Sequence, residues 1–179
     1  MSRPHRRIQL AAAVAVVAIA SVVATTALAG GGREVREKLT GLQEVPVVLT
    51  GAEGKFKARL FSDRIEYELR YEDLEGDVQQ SHIHIGQRLA NGNISAFLCT
   101  NLGNGPAGTP ACPPDPATVS GTIEAEDVIG PASQGIAPGE IDELVDAIKD
   151  GWTYANVHSS LAPTGEIRGQ LNDDGDDDD

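Results

Sequence analysis

Charged and apolar residues alternate without a break along Lys55-Phe56-Lys57-Ala58-Arg59-Leu60, and again along residues 64–72. Strand side chains point to opposite faces with a period of two, so each run has one buried face and one wet face. Ser62 and Asp63 lie between the runs, which together predict a β-hairpin. Tyr67 and Tyr71 fall on its buried face. Opposed Lys/Arg and Glu on the wet face add only small cross-strand terms.

The same period recurs at lower contrast. Residues 39–49 read as the first strand of the fold, with Pro46 marking an edge or a bulge. Further strands are predicted around His82 and His84 and over residues 94–99, 119–128, 152–159 and 166–171. Gly-, Asn- and Pro-rich turns separate them, among them Ala90-Asn91-Gly92-Asn93 and Pro163-Thr164-Gly165. One segment changes period. Ile141, Leu144, Val145 and Ile148 fall at helical spacing within residues 138–150. Pro138 suits the first turn of that helix and Gly151 its left-handed close. Seven or eight short strands with one covering helix predict an all-β, antiparallel sandwich or barrel.

Composition adds boundaries. Residues 1–29 combine Arg3, Arg6 and Arg7 with an apolar run and end on Ala27-Leu28-Ala29, the pattern of a secretory signal peptide. Its removal leaves 11 basic against 27 acidic residues, a net charge of −16. Such a surface repels nucleic acid and anionic lipid. Cleavage also leaves no stable membrane anchor, so the expected location is secreted, periplasmic or at the cell surface. Residues 30–38 read as a charged linker, 39–172 as one domain, and 173–179, with six aspartates, as a disordered acidic tail. Cys99 and Cys112 are the only cysteines, and in an oxidising compartment they are expected to pair.

The candidate chemistry rests on histidine. Beyond the leader the chain keeps His82, His84 and His158. His82 and His84 share a strand face opposite Ile83 and Ile85. Tyr154, Asn156 and His158 share a face opposite Ala155 and Val157. Pairing these two strands brings three imidazoles together on an outward surface. Imidazole suits zinc or copper, and three protein ligands leave an open position. Asn156, Glu166, Arg168 and Gln170 are placed to support the ligands from behind. Competing with the metal is a purely structural reading, with the imidazoles hydrogen-bonded to neighbouring strands and Glu166 paired with Arg168. Trp152 and Tyr154 read as core aromatics, with a ligand-stacking surface as the alternative.

An ordered set of motifs runs through most of the chain. It comprises Leu39-Thr40-Gly41-Leu42-Gln43-Glu44-Val45-Pro46, His82-Ile83-His84 with Gly92 after it, Gly151, Tyr154-Ala155-Asn156-Val157-His158 and Gly165-Glu166-Ile167-Arg168-Gly169-Gln170. In these the chain resembles the CHRD domain, a module of chordin and of many bacterial exported proteins, here as a single-domain form. The resemblance implies a β-rich exported module with no established reaction and an extracellular protein or matrix partner. The polar face around Asn156 and Arg168 is the expected contact surface. A second, looser likeness is to copper/zinc superoxide dismutases, which also carry a His-x-His strand facing out of a β-barrel. The expected architecture is thus immunoglobulin-like or superoxide dismutase-like. The bridging histidine and the full two-metal ligand set of that enzyme are not present. The expected function is non-enzymatic binding, with a divalent metal, copper or zinc, on the three histidines. The alternatives are a metal-dependent enzyme with a superoxide dismutase-like outward histidine site, where the ion could activate water beside Glu166, and a purely structural or interaction module. No Ser-centred nucleophile elbow, phosphate-cradling glycine loop or HExxH helix is found.

Overall fold

A computed structural model of the chain describes residues 32–171. The expected leader (1–29) and acidic tail (173–179) lie outside the described residues. Eight strands form one antiparallel sheet, curled into a nearly closed barrel with one helix. In chain order they are β1 (Arg33–Thr40), β2 (Glu53–Leu60), β3 (Ile65–Glu72), β4 (Val78–Ile85), β5 (Asn93–Thr100), β6 (Ala117–Ile123), β7 (Thr153–Ser159) and β8 (Ile167–Leu171). The helix α1 (Ile141–Lys149) lies between β6 and β7. The strand order is β5-β4-β7-β8-β1-β2-β3-β6.

The predicted hairpin is β2–β3, paired from Glu53↔Glu72 to Leu60↔Ile65. Phe56, Leu60, Ile65, Leu69 and Tyr71 point inward and are buried. Ile83, Leu98, Val157 and Ile167 enter the same core, as do Leu144, Val145 and Ile148 of α1. Burying an aliphatic side chain of this size contributes about 1.5–3 kcal/mol. Tyr67 Oη donates to Leu98 O at 2.6 Å, which ties β3 to the end strand β5 across the barrel seam. Cys99 and Cys112 form a disulfide, 13 residues apart.

Four boundaries differ from expectation. The predicted linker is largely β1, since Val35 and Leu39 are buried and the strand pairs with β2 along its whole length. Two apolar residues among many charges give little alternation, and pairing with β2 supplies what propensity does not. The strand predicted over 39–49 stops at Thr40, where a 3-10 turn (Gly41–Gln43) bends the chain. A Cβ at Gly41 would stand 2.3 Å from Val48 O, so only glycine permits this fold-back. Residues 44–52 then form a strap, with Pro46 on it, instead of a strand. The strand predicted over 119–128 ends at Ile123, where Glu124 and Asp127 form a capping box around a short turn. The helix starts at Ile141 with Glu140 as its cap, leaving Pro138 outside, and Gly151 takes φ 75° as expected.

Candidate metal centre

The strand registers set side chains in rows across the outer face of β5–β4–β7–β8. One row reads Phe97, His82, Asn156, Arg168 and the next Ile94, His84, Tyr154, Gln170. His158 stands beyond His82, opposite Gln80. The three histidines therefore meet, and their ligand atoms lie within 4.8 Å of one another. They can hold a metal ion.

One expectation needs correcting. The imidazoles face away from the aliphatic core, yet they do not lie on an exposed surface: His82, His84 and His158 are 0%, 7% and 6% exposed. The strap covers them. Glu44 is buried against Asn156 and Arg168, Asn91 Nδ2 donates to Val45 O at 2.8 Å, and the Gln170 amide donates to Gln43 Oε1 at 3.3 Å. The same cover buries Asn156 and Arg168, so they form no contact surface for a partner. Trp152 is exposed instead of buried. Tyr154 is buried but belongs to this polar face, stacked on His84 at 4.7 Å with the Arg168 guanidinium 3.4 Å above its other side.

Burial sets the charge state. Desolvation lowers the His82 pKa to about 2, aided by neighbouring His158 and His84. It lowers His84 to about 4, partly offset by the Gly92 carbonyl, and lowers His158 as well, partly offset by the Pro163 carbonyl. All three rings are neutral near pH 7, the form that binds metal. Backbone carbonyls fix their tautomers. His84 Nδ1 lies 3.0 Å from Gly92 O, and His158 Nδ1 lies 3.1 Å from Pro163 O. Both carbonyls must accept, so Nδ1 carries the proton and Nε2 keeps its lone pair. His82 Nδ1 lies 3.1 Å from His158 Nε2, so in the metal-free cluster His82 donates to His158. That leaves the Nε2 atoms of His82 and His84 buried with no hydrogen-bond partner. Orphaned buried lone pairs are costly, and a divalent cation in the cluster would satisfy that of His84 Nε2. The donor set thus fits a zinc- or copper-type ion.

The supporting residues divide. Arg168 Nη2 donates to Gln87 O at 3.2 Å, and Gln170 Nε2 donates to Gly86 O and Gly151 O, each at 2.9 Å. These bonds pin the turns beside the site. Asn156 Oδ1 stands 3.0 Å from His158 Nε2. Glu166 is engaged elsewhere: its Oε1 accepts from Thr50 Oγ1 at 2.9 Å and from the Glu75 amide at 2.7 Å. The carboxyl beside the cluster is Glu44, whose pKa burial raises to about 7 against the pull of Arg168 and Asn156. Sequence reasoning missed it because the Gln43-Glu44-Val45-Pro46 motif reads as a strand. Gly92 is also required here: a Cβ would stand 1.6 Å from Ile85 O, and its carbonyl holds His84.

Residues 35–171 match the CHRD domain family, and the chain belongs to it. No curated protein and no solved structure matches the chain.

Proposed function

We propose that this CHRD-domain protein is an exported, non-enzymatic binding protein that holds one divalent ion, copper or zinc, on His82, His84 and His158. The observation that carries this reading is a buried trio of neutral imidazoles, two of which have Nε2 atoms without any partner. An ion there would clip β4 to β7 and turn an unsatisfied polar cluster into a source of stability. The Cys99–Cys112 bond fits an oxidising, extracytoplasmic location. The partner under this reading is an extracellular protein or matrix component, docking away from the covered histidine face.

Metal analysis of freshly purified protein tests the proposal. The native chain should carry about one equivalent of copper or zinc per protein, and His84→Ala close to none. Equal, near-zero metal in both would refute it.

A further inference from the structure

A three-histidine ion acts as a catalyst or as a strut according to what fills its next position. Asn156 stands in the same row as His82, and its Oδ1 is 3.0 Å from His158 Nε2. Which end of that amide faces the cluster is settled by its other neighbour. Glu44 lies on the far side, where its Oε1 and Asn156 Nδ2 both border Gly165, so Nδ2 faces the carboxyl and Oδ1 the cluster.

Proton counting then exposes a conflict. His158 Nδ1 faces Pro163 O at 3.1 Å, an atom that only accepts. His158 Nε2 faces Asn156 Oδ1, which also only accepts. A neutral imidazole has one N–H, so one nitrogen presents a lone pair to a carbonyl lone pair. The His82 Nδ1 proton can fill the Nε2 lone pair, but Oδ1 then has no donor among the three rings. A metal bound to both atoms removes the conflict. Two donors on one tetrahedral zinc-sized ion stand about 3.3 Å apart, close to the observed His158 Nε2–Asn156 Oδ1 separation of 3.0 Å.

We propose that Asn156 Oδ1 is a fourth ligand to the ion, so that the centre is a closed set of three imidazoles and one amide oxygen, with Glu44 as the residue that orients the amide. This rests on the three-histidine reading. It assigns the ion a structural role, because no ligand position is left for substrate or an attacking water.

Cobalt(II), which reports coordination number through its visible bands, is the probe, added to the metal-free mature chain. The native protein should give the intense bands of a four-coordinate ion at one equivalent. Asn156→Ala should weaken binding by about 10- to 100-fold and lose band intensity, whereas Asn156→Asp, which keeps an oxygen donor, should retain the four-coordinate bands. Native affinity and native bands in Asn156→Ala, with cobalt lost from His84→Ala, would overturn the fourth ligand and leave the three-histidine reading standing. Cobalt bound equally well by His84→Ala would overturn that reading itself. Should Asn156→Ala fail to fold, the native chain still decides: zinc should move the Asn156 carboxamide carbon resonance much further than that of its buried neighbour Gln170. Equal or absent shifts would overturn the proposal.

Discussion

The outward faces of two parts of one sheet have opposite fates. On β2–β3 the outward residues are charged, and they pair in water: Lys57 with Glu68 at 3.4 Å and Arg59 with Glu66 at 3.9 Å, all substantially exposed. On β4–β7–β8 the outward residues are also polar, yet the strap from Gly41 seals them, and every residue of β7 and β8 is buried. Polarity on the first face serves solubility. Polarity on the second is kept from water at a cost, and that cost is rational only if something replaces the water. The three imidazoles and the Asn156 oxygen offer lone pairs for a cation; the charged pairs on β2–β3 are already satisfied.

Substitutions on the two faces should therefore differ steeply. The largest effect is expected from His84→Ala, which removes one of the three imidazole ligands: zinc affinity, read by calorimetric titration, should fall by more than about 100-fold. Arg168→Met comes next. It strips the cation from the Tyr154 ring and leaves Gln87 O without its donor, so denaturant unfolding should show a loss of about 3 kcal/mol.

Acid should discriminate the faces too. His82 and His84 have folded pKa values of about 2 and 4, below the ordinary 6.5, so the unfolded chain takes up their protons first as pH falls. Their contribution is complete above about pH 6.5 and is lost progressively as pH falls toward the folded values. Glu44 acts in the opposite sense: its folded pKa of about 7 exceeds the ordinary 4.5, so between these values falling pH favours the folded state. Within the cluster, two histidines against one carboxyl leave a net loss of about 1.4 kcal/mol per pH unit between roughly pH 6.5 and 4.5, which the lowered His158 pKa steepens and the raised pKa of Glu37, outside the cluster, opposes. Thermal melts of metal-free protein across that range would read it, and a flat profile would mean that the cluster is solvated. The smallest effect is expected from Lys57→Ala, within about 0.5 kcal/mol by the same melts, since an exposed pair contributes little.

Much of this contrast was legible in the sequence. Period-two alternation placed the β2–β3 hairpin, and the His82/His84 and Asn156/His158 parities placed three ligands on one face, because pleating is local and strict. Burial of that face was not legible. It depends on a segment more than 30 residues away in sequence from His82 and on Gly41, whose fold-back turns an expected strand into a cover. The same long-range contact brings in Glu44 and leaves Glu166, the carboxylate favoured by parity, bonded to Thr50 and Glu75. Strand β1 was obscured for a related reason: Glu34, Arg36 and Lys38 lie on a wet face, and on the inner side the half-buried Glu37 interrupts Val35 and Leu39.

The central claim is that neutral, buried imidazoles converge their lone pairs on one point. Nitrogen-15 NMR of the histidine rings in the metal-free mature chain tests it most directly. At pH 6, His82 and His84 should be neutral, His84 with the proton on Nδ1, and one equivalent of zinc should shift one nitrogen of each of the three rings, with no further change beyond that. Imidazolium signals from His82 or His84 at pH 6, or rings indifferent to zinc, would contradict the account.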